Sequence, residues 1–184
     1  MMELRTNRLI IRDFLKTDFD FYKDLEQAPS TYQYESDQMS SIDELYNRFN
    51  DILDLQKNDN REKWSLIIID NQNLNPIGRI VLWEVDSSIR EWEIGWYIKK
   101  AYQNHGYATE AAQKMLEFAF SKIKAHRIQA LCHHSNRASE KVMEKLGMKK
   151  EGELREIRFM HQKWVNMSIY SLLESEFEGI NNGN

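Results

Sequence analysis

The stretch "EWEIGWYIKKAYQNHGYATEAAQKMLEFAFSKIKAHRIQALC", residues 91–132, decides how this chain folds. Its opening is rich in Trp, Ile and Tyr, the composition of a strand. From about Gly106 to Lys122 the pattern becomes helical, with Ala108, Ala111, Ala112, Met115, Phe118 and Ala119 on one face. "RIQALCHH" (127–134) then reads as strand again. Two strands joined by a helical crossover of this length lie parallel, with right-handed connection, when they share a sheet.

The flanking segments predict a different kind of pairing. "KWSLIIID" (63–70), "PIGRIVLWEV" (76–85) and "EWEIGWYIKK" (91–100) are separated by turn-prone "NQNLN" and "DSSIR", which reads as an antiparallel meander. Upstream, "NRLIIRDF" (7–14) is a strand and "TDFDFYKDLEQA" (17–28) a helix with Thr17 as N-cap. "SSIDELYNRFNDILDLQKN" (40–58) is a second helix opened by a Ser41–Glu44 capping box. Downstream, a short helix from Asn136 to Leu146 closes on Gly147 in the left-handed cap position, and two strands fill "KKEGELREIRFMHQKWVNMSIYSLL" (149–173). Where a sheet switches connection type, ligands bind beyond the C-terminal ends of its strands. "QNHGYA" (103–108) lies at such an end.

The bulk numbers narrow the function. The 184 residues suit one core of ordinary size, and the single cysteine excludes an internal disulfide framework. The N-terminus lacks a basic end followed by an apolar run and a small-residue cleavage site, so a cytoplasmic location is expected. No apolar run approaches the roughly 18 residues of a membrane span. A formal charge of −4 argues against binding nucleic acid through phosphate neutralisation.

A helix start offers unpaired N–H groups and the positive end of the helix dipole, which makes it an anion site. Gly106 would let an anion reach those amides without a side chain in the way; the alternative is that it merely turns the chain. The sequence holds no G-x-G-x-x-G and no G-K-[ST], so the commoner phosphate loops do not apply.

"QNHGYATEA" resembles the Q/R-x-x-G-x-G/A signature of the GNAT superfamily of N-acetyltransferases. It is preceded by "EWEIGWYIKKAY", similar to the E-I-G-Y strand of the branch containing the ribosomal-protein N-terminal (alanine) acetyltransferases. It is followed by "NRASEKVMEKLGM", which matches that branch's N-x-x-S-x-x-V-x-E-K-L-G-F helix except that Met148 replaces Phe. "LRTNRLIIRDF" and "KWVNMSIYSLL" extend the likeness over most of the chain.

The resemblance implies an α/β (α+β) architecture: a GNAT-like domain over residues 1–175, its mixed, mostly antiparallel sheet of about seven strands carrying a splayed parallel pair in the middle and helices on both faces. Residues 176–184 read as a frayed end. It implies acetyl-CoA as cosubstrate, with Gln103 opening the motif and the pyrophosphate on amides of Asn104, His105, Gly106, Tyr107, Ala108 and Thr109. The pantetheine arm would pair with Trp96, Tyr97 and Ile98. Asn136 matches a position that bonds the coenzyme, and it is equally a helix N-cap. The implied partners are acetyl-CoA and a primary amine, either a peptide N-terminus or a small molecule such as a polyamine or aminoglycoside. A homodimer is allowed; nucleic acid, membrane and metal are not expected.

Amide formation from a thioester needs a neutral amine, a donor for the oxyanion and a proton for the departing thiolate. Glu93, matching the glutamate of the E-I-G strand, is the candidate base; the competing reading is a structural strand carboxylate. Ser139 is the candidate acid, or else a helix-start serine. Glu153, on a late strand, is the backup base. Cys132, His133 and His134 resemble metal ligands, but neighbouring strand residues point to opposite faces and no second ligand pair stands at zinc spacing. Cys132 shares the parity of Ile128 and Ala130 and reads as core. Residues 17–60 carry eleven acids against Lys23, Arg48 and Lys57, which either line an acceptor site or are solvated helix faces. Asn166 stands where the branch commonly has an acid.

Overall fold

The computed structural model describes residues 1–29, 34, 40–58 and 60–177. Eight strands form one sheet: β1 (Glu3–Arg5), β2 (Leu9–Asp13), β3 (Lys63–Asp70), β4 (Pro76–Asp86), β5 (Glu91–Ile98), β6 (Arg127–His133), β7 (Lys149–Met160) and β8 (Lys163–Leu173). Their order is β1-β2-β3-β4-β5-β6-β8-β7. Among the described residues only β5 and β6 are parallel; each other neighbouring pair is antiparallel. The crossover read from residues 91–132 therefore makes the parallel pair, set between a meander on one side and a hairpin on the other.

Alternation along the strands assigns the helices to faces. Leu9, Ile11, Leu66, Ile68, Ile80, Leu82, Ile94 and Ile128 pack in one core with α3 (Tyr107–Phe118) and α4 (Arg137–Lys145). Ile10, Ile67 and Ile69, one residue out of phase, pack in a second core with α1 (Phe19–Glu26) and α2 (Ile42–Leu55). A period of two on strands covered on both sides leaves neither face to solvent, which is why "LIIID" carries no polar alternation. In α3 the buried stripe is Ala111, Ala112, Met115 and Leu116. The alanines let the helix lie close against the sheet.

The expected mixed sheet with its parallel middle pair is present, with eight strands among the described residues, since the three residues of β1 pair with β2 over Glu3↔Arg12 to Arg5↔Ile10. Three details differ. Thr17 does not cap α1: residues Lys16–Asp18 form a 3-10 turn, and Asp18 instead accepts from the Leu15 amide and from Arg12. The crossover helix is α-helical only to Phe118 and then widens into a π turn, Ala119–Ile123, ended by Lys124 at φ 62°. Chain order continues past 175: residues 174–177 make a helical turn whose Phe177 is buried and stacks on Phe120 at 4.8 Å. The rest of the expected frayed end, 178–184, lies outside the described residues.

The capping reading elsewhere holds. Ser41 and Glu44 form the reciprocal box at the start of α2, and Gly147 takes the left-handed conformation (φ 78°) after α4.

Candidate active site

The parallel ladder is short. β5 and β6 pair over Glu91↔Arg127, Trp92↔Ile128 and Glu93↔Gln129. Beyond Glu93 the strands diverge, and among the described residues Ile94–Ile98 keeps only β4 as its sheet neighbour. A cleft of about 810 Å³ occupies this region. Tyr22, Arg48, Asp51 and Ile52 of the α1–α2 side line it, and so do Cys132, Asn136, Ser139 and Met143 of the α4 side. It therefore reaches both faces of the sheet through the gap between the parallel strands.

Glu93 sits where the gap begins. By strand parity it shares the α1–α2 face with Tyr97, whose ring packs against that core, while Trp92, Ile94 and Ile98 point the other way. Its Oε2 accepts from Gln129 Nε2 at 2.9 Å. Gln129 Oε1 in turn accepts from Arg127 Nη1 at 2.9 Å, and Arg127 also bonds Glu91. Arg127 has only donors to give, so it fixes which end of the Gln129 amide faces Glu93. Burial pushes the Glu93 carboxyl above its ordinary pKa, against the lowering effects of the Gln129 hydrogen bond and the nearby Arg158. A desolvated carboxylate with a raised pKa is a better proton acceptor than a solvated one.

Ser139 lines the same cleft from the opposite side, one turn into α4. Its amide donates to Asn136 Oδ1 at 3.1 Å, so Asn136 is the N-cap of α4 while also lining the cleft. Trp96 and Tyr97 line the cleft as well. Ile98 is buried in the α3-side core. Glu153 does not line the cleft: it is exposed on β7 and accepts from Asn166 Nδ2 at 2.5 Å.

The loop after β5 lies past the end of the cleft rather than in its wall. Gln103, Asn104, His105 and Gly106 are exposed; Tyr107, Ala108 and Thr109 open α3 and are partly buried. Gln103 turns inward, its Nε2 donating to the Ile98 carbonyl at 2.9 Å. Asn104 (φ 65°) and Gly106 (φ 81°) both adopt left-handed conformations, so successive amides need not alternate in direction and can converge on one ligand. Gly106 is needed for that backbone state: a Cβ there would meet only the Arg8 guanidinium, at 3.5 Å. Unlike α2 and α4, α3 receives no side-chain cap from its N-cap residue, Gly106, so no capping side chain competes for its first amides among the described residues.

The neighbouring groups are placed as follows. Cys132 is buried, and burial first, with the Glu140 charge second, pushes its thiol up to about 11. It is core, not nucleophile. His133 lines the cleft against Tyr34, with ring centroids 5.7 Å apart, and its Nδ1 accepts from the Ser135 amide at 3.1 Å. Among the described residues, no group of His, Cys, Asp and Glu has an arrangement that could hold a metal ion. No described helix is long and apolar enough to cross a membrane. Of the described acids in residues 17–60, Glu26 and Asp51 line the cleft, and Glu26 is paired with Arg79 at 2.8 Å. Asp18, Asp20 and Asp54 pair with Arg12, Lys23 and Lys57. Glu35, Asp37 and Asp59 lie outside the described residues.

Three groups emerge only in three dimensions. Gln129 orients Glu93 from a strand 36 residues away, and Arg158, on β7, reaches the cleft wall. Glu140 is a buried carboxylate that accepts from Ser168 Oγ at 2.9 Å and Lys150 Nζ at 3.0 Å and also bonds Arg137. Burial opposes its ionisation, but these donors more than overcome burial and bring its pKa down to about 2. It fastens α4, and with it Ser139, to β7 and β8.

Residues 8–149 match the family model described as an acetyltransferase (GNAT) domain. A Bacillus subtilis protein named uncharacterized N-acetyltransferase YnaD is 36% identical over 179 residues, covering 96% of this chain and 99% of that protein. The crystal structure of ribosomal-protein-S5-alanine acetyltransferase from Vibrio fischeri superposes with a TM-score of 0.84 at 17% identity, over 96% of this chain and 99% of that one. Spermidine N-acetyltransferase from Vibrio cholerae, solved in complex with CoA and spermine, superposes with a TM-score of 0.82 at 23% identity, over 94% and 99%. At those identities the two structures establish a shared fold.

Proposed function

Because the chain belongs to the GNAT acetyltransferase family, we propose that it transfers the acetyl group of acetyl-CoA to a primary amine by direct attack on the thioester. The observation that carries this reading is the end of the β5–β6 ladder at Glu93↔Gln129, where an oriented, desolvated carboxylate faces a cleft open to both sides of the sheet.

The donor-side assignment fits the residues present. Past Glu93 the β5–β6 ladder ends and the strands splay, which leaves room for an extended arm to lie along β5 as an added strand would. Trp96, Tyr97 and Ile98 are the residues of that contact. Asn104, His105, Gly106, Tyr107, Ala108 and Thr109 would hold the pyrophosphate through their amides, with Gln103 bracing the loop and Asn136 contributing from α4. The coenzyme supplies the activated acyl carbon; the rest is the work of the chain's own groups.

Glu93 accepts the proton of the attacking amine, directly or through a water. The difficulty of that step depends on the acceptor: at pH 7 an amine of pKa about 10.4 needs roughly 4.6 kcal/mol to deprotonate, an α-amino group near 7.7–8.0 only about 1–1.4 kcal/mol. A β5 amide near Trp96 or Tyr97 receives the oxyanion, and Ser139 gives a proton to the thiolate. Glu153, held by Asn166 outside the cleft lining, is the backup base only if the acceptor draws it in.

The acceptor is a peptide N-terminus or a small amine. The cleft lining mixes Glu26, Asp51, Glu62 and Glu84 with Arg48, Lys63, Arg79 and Arg158, which suits an amine carrying further polar groups. Thiol release from acetyl-CoA across N-terminal peptides, polyamines and aminoglycosides, run beside coenzyme calorimetry, tests the reading. Turnover on one amine class is expected. Coenzyme binding without turnover on any amine would make the protein a non-catalytic acyl-CoA-binding module and overturn it.

A further inference from the structure

The turn between β1 and β2 reaches across to the loop after β5 and grips it. Arg8 Nη1 donates to the His105 carbonyl at 3.0 Å, and the Arg8 guanidinium carbon lies 4.6 Å from the centroid of the Tyr107 ring. Arg8 is itself locked by Glu110, in the first turn of α3: its Nε and Nη2 reach Oε2 at 2.6 and 2.5 Å, and its backbone amide donates to Oε1 at 3.1 Å. Thr6 Oγ1 donates to the same Oε1 at 2.5 Å and accepts from the Leu9 amide at 2.9 Å, which closes the turn. Thr6 and Arg8 thus converge on Glu110 across about a hundred residues of chain, and through Arg8 that cluster holds one loop peptide.

An anion loop built from amides is spoiled by any carbonyl that swings into it, since the oxygen repels the phosphate as the N–H attracts it. The His105–Gly106 peptide is the most exposed to this, because it lies between two left-handed residues, Asn104 and Gly106. We propose that Arg8, locked by Glu110, is a positioning residue for the coenzyme: it holds the His105 carbonyl so that the neighbouring amides stay turned to the pyrophosphate. The inference rests on the loop assignment above. Glu110 compensates the Arg8 charge at contact distance, so the effect is geometric rather than that of a free cation drawn to phosphate. That distinction decides which substitution matters. A lysine keeps the charge but lacks the planar fork that bonds Glu110 and His105 together.

The test compares acetyl-CoA with S-acetylpantetheine, which carries the same thioester and arm without the pyrophosphate, in steady-state assays of wild type, Arg8→Ala, Arg8→Lys and Glu110→Gln at saturating acceptor. Both Arg8 variants are expected to raise KM for acetyl-CoA about tenfold, the scale of one charge-assisted bond, with kcat within about twofold. Glu110→Gln, which still accepts from Arg8, should raise it about threefold. All three should use S-acetylpantetheine as wild type does. A wild-type KM in Arg8→Lys, an equal loss with both donors, or no change in any variant overturns the inference while leaving the loop assignment intact. A wild-type enzyme with no preference for acetyl-CoA over S-acetylpantetheine removes the loop assignment and this inference with it.

Discussion

Replacing Glu93 with Gln changes one atom of the proposed base and almost nothing else. The side chain keeps its length, and the new amide oxygen can still accept from Gln129 Nε2, which now lies 2.9 Å from a Glu93 carboxylate oxygen. Burial raises the Glu93 pKa, so the folded protein gains no stability from that charge at neutral pH. The signs run one way: a carboxyl with a raised folded pKa favours the fold below its unfolded pKa and loses that contribution as pH rises through the folded value. Removing it should therefore leave Tm at pH 7 unchanged or slightly higher. Catalysis should respond oppositely. Loss of a general base removes about 10²–10⁴-fold, which is roughly 2.7–5.4 kcal/mol of transition-state stabilisation. The assay is initial-rate thiol release at pH 7, with acetyl-CoA affinity from calorimetry expected within about twofold of wild type. A second signature is pH. For an acceptor of pKa near 10.4, the neutral amine fraction rises about tenfold per unit, so the variant should recover roughly 100-fold between pH 7 and 9. The wild-type acid limb should sit above the ordinary glutamate value and vanish in the variant. A rate within about threefold of wild type would refute the assignment, and so would a rate loss accompanied by a matching fall in Tm.

Three further outcomes follow from the geometry. Glu140→Gln should destabilise the fold by about 2–3 kcal/mol in urea titration, since Lys150, Arg137 and the buried Ser168 lose a charged acceptor. Because its folded pKa is depressed to about 2, the wild-type contribution is complete above the unfolded value near 4.5 and disappears as pH falls toward 2; in the variant that part of the acid transition should be absent. Gly106→Val should cost about 1–2 kcal/mol through its φ of 81° and weaken coenzyme binding, whereas Gly106→Asn, which tolerates that conformation, should spare stability; unchanged acetyl-CoA affinity in both by calorimetry would contradict the loop assignment. Cys132, buried with a thiol near 11, should resist alkylation in the native protein at pH 8 and react at once in denaturant; rapid native labelling by mass spectrometry would contradict its placement in the core.

What could be read from the sequence was what repeats locally. The β3 and β4 segments are apolar enough, and bounded sharply enough by "NQNLN" and "DSSIR", to be located to within a residue of Lys63–Asp70 and Pro76–Asp86. β1 escaped because three residues, "ELR", have no period; they are a strand only because Ile10–Arg12 is beside them. Thr17 looked like a cap by type, but Arg12 and the Leu15 amide recruit the next residue, Asp18. At the site, the position of Glu93 and the glycine at 106 were legible because a motif surrounds them. Gln129, Arg8 and Glu110 were not, since their contacts span 36 and 102 residues and no spacing announces them. Gln129 had one signal available: counting from the strand starts, "EWE" and "RIQ" align as Glu91–Glu93 and Arg127–Gln129 once the pair is taken as parallel.

The division of the interior into two cores has an evolutionary meaning. The buried side chains of the α3–α4 layer and those of the α1–α2 layer form separate clusters on opposite faces of the same strands, so substitutions within the two clusters should combine additively in stability. A lineage could then rebuild the layer around Tyr22, Phe49 and Ile67 while the layer around Ala111, Met115 and Ile128 is inherited unaltered. The two layers can diverge at separate rates within one small protein, and the cleft between β5 and β6 is where a change in one reaches the other.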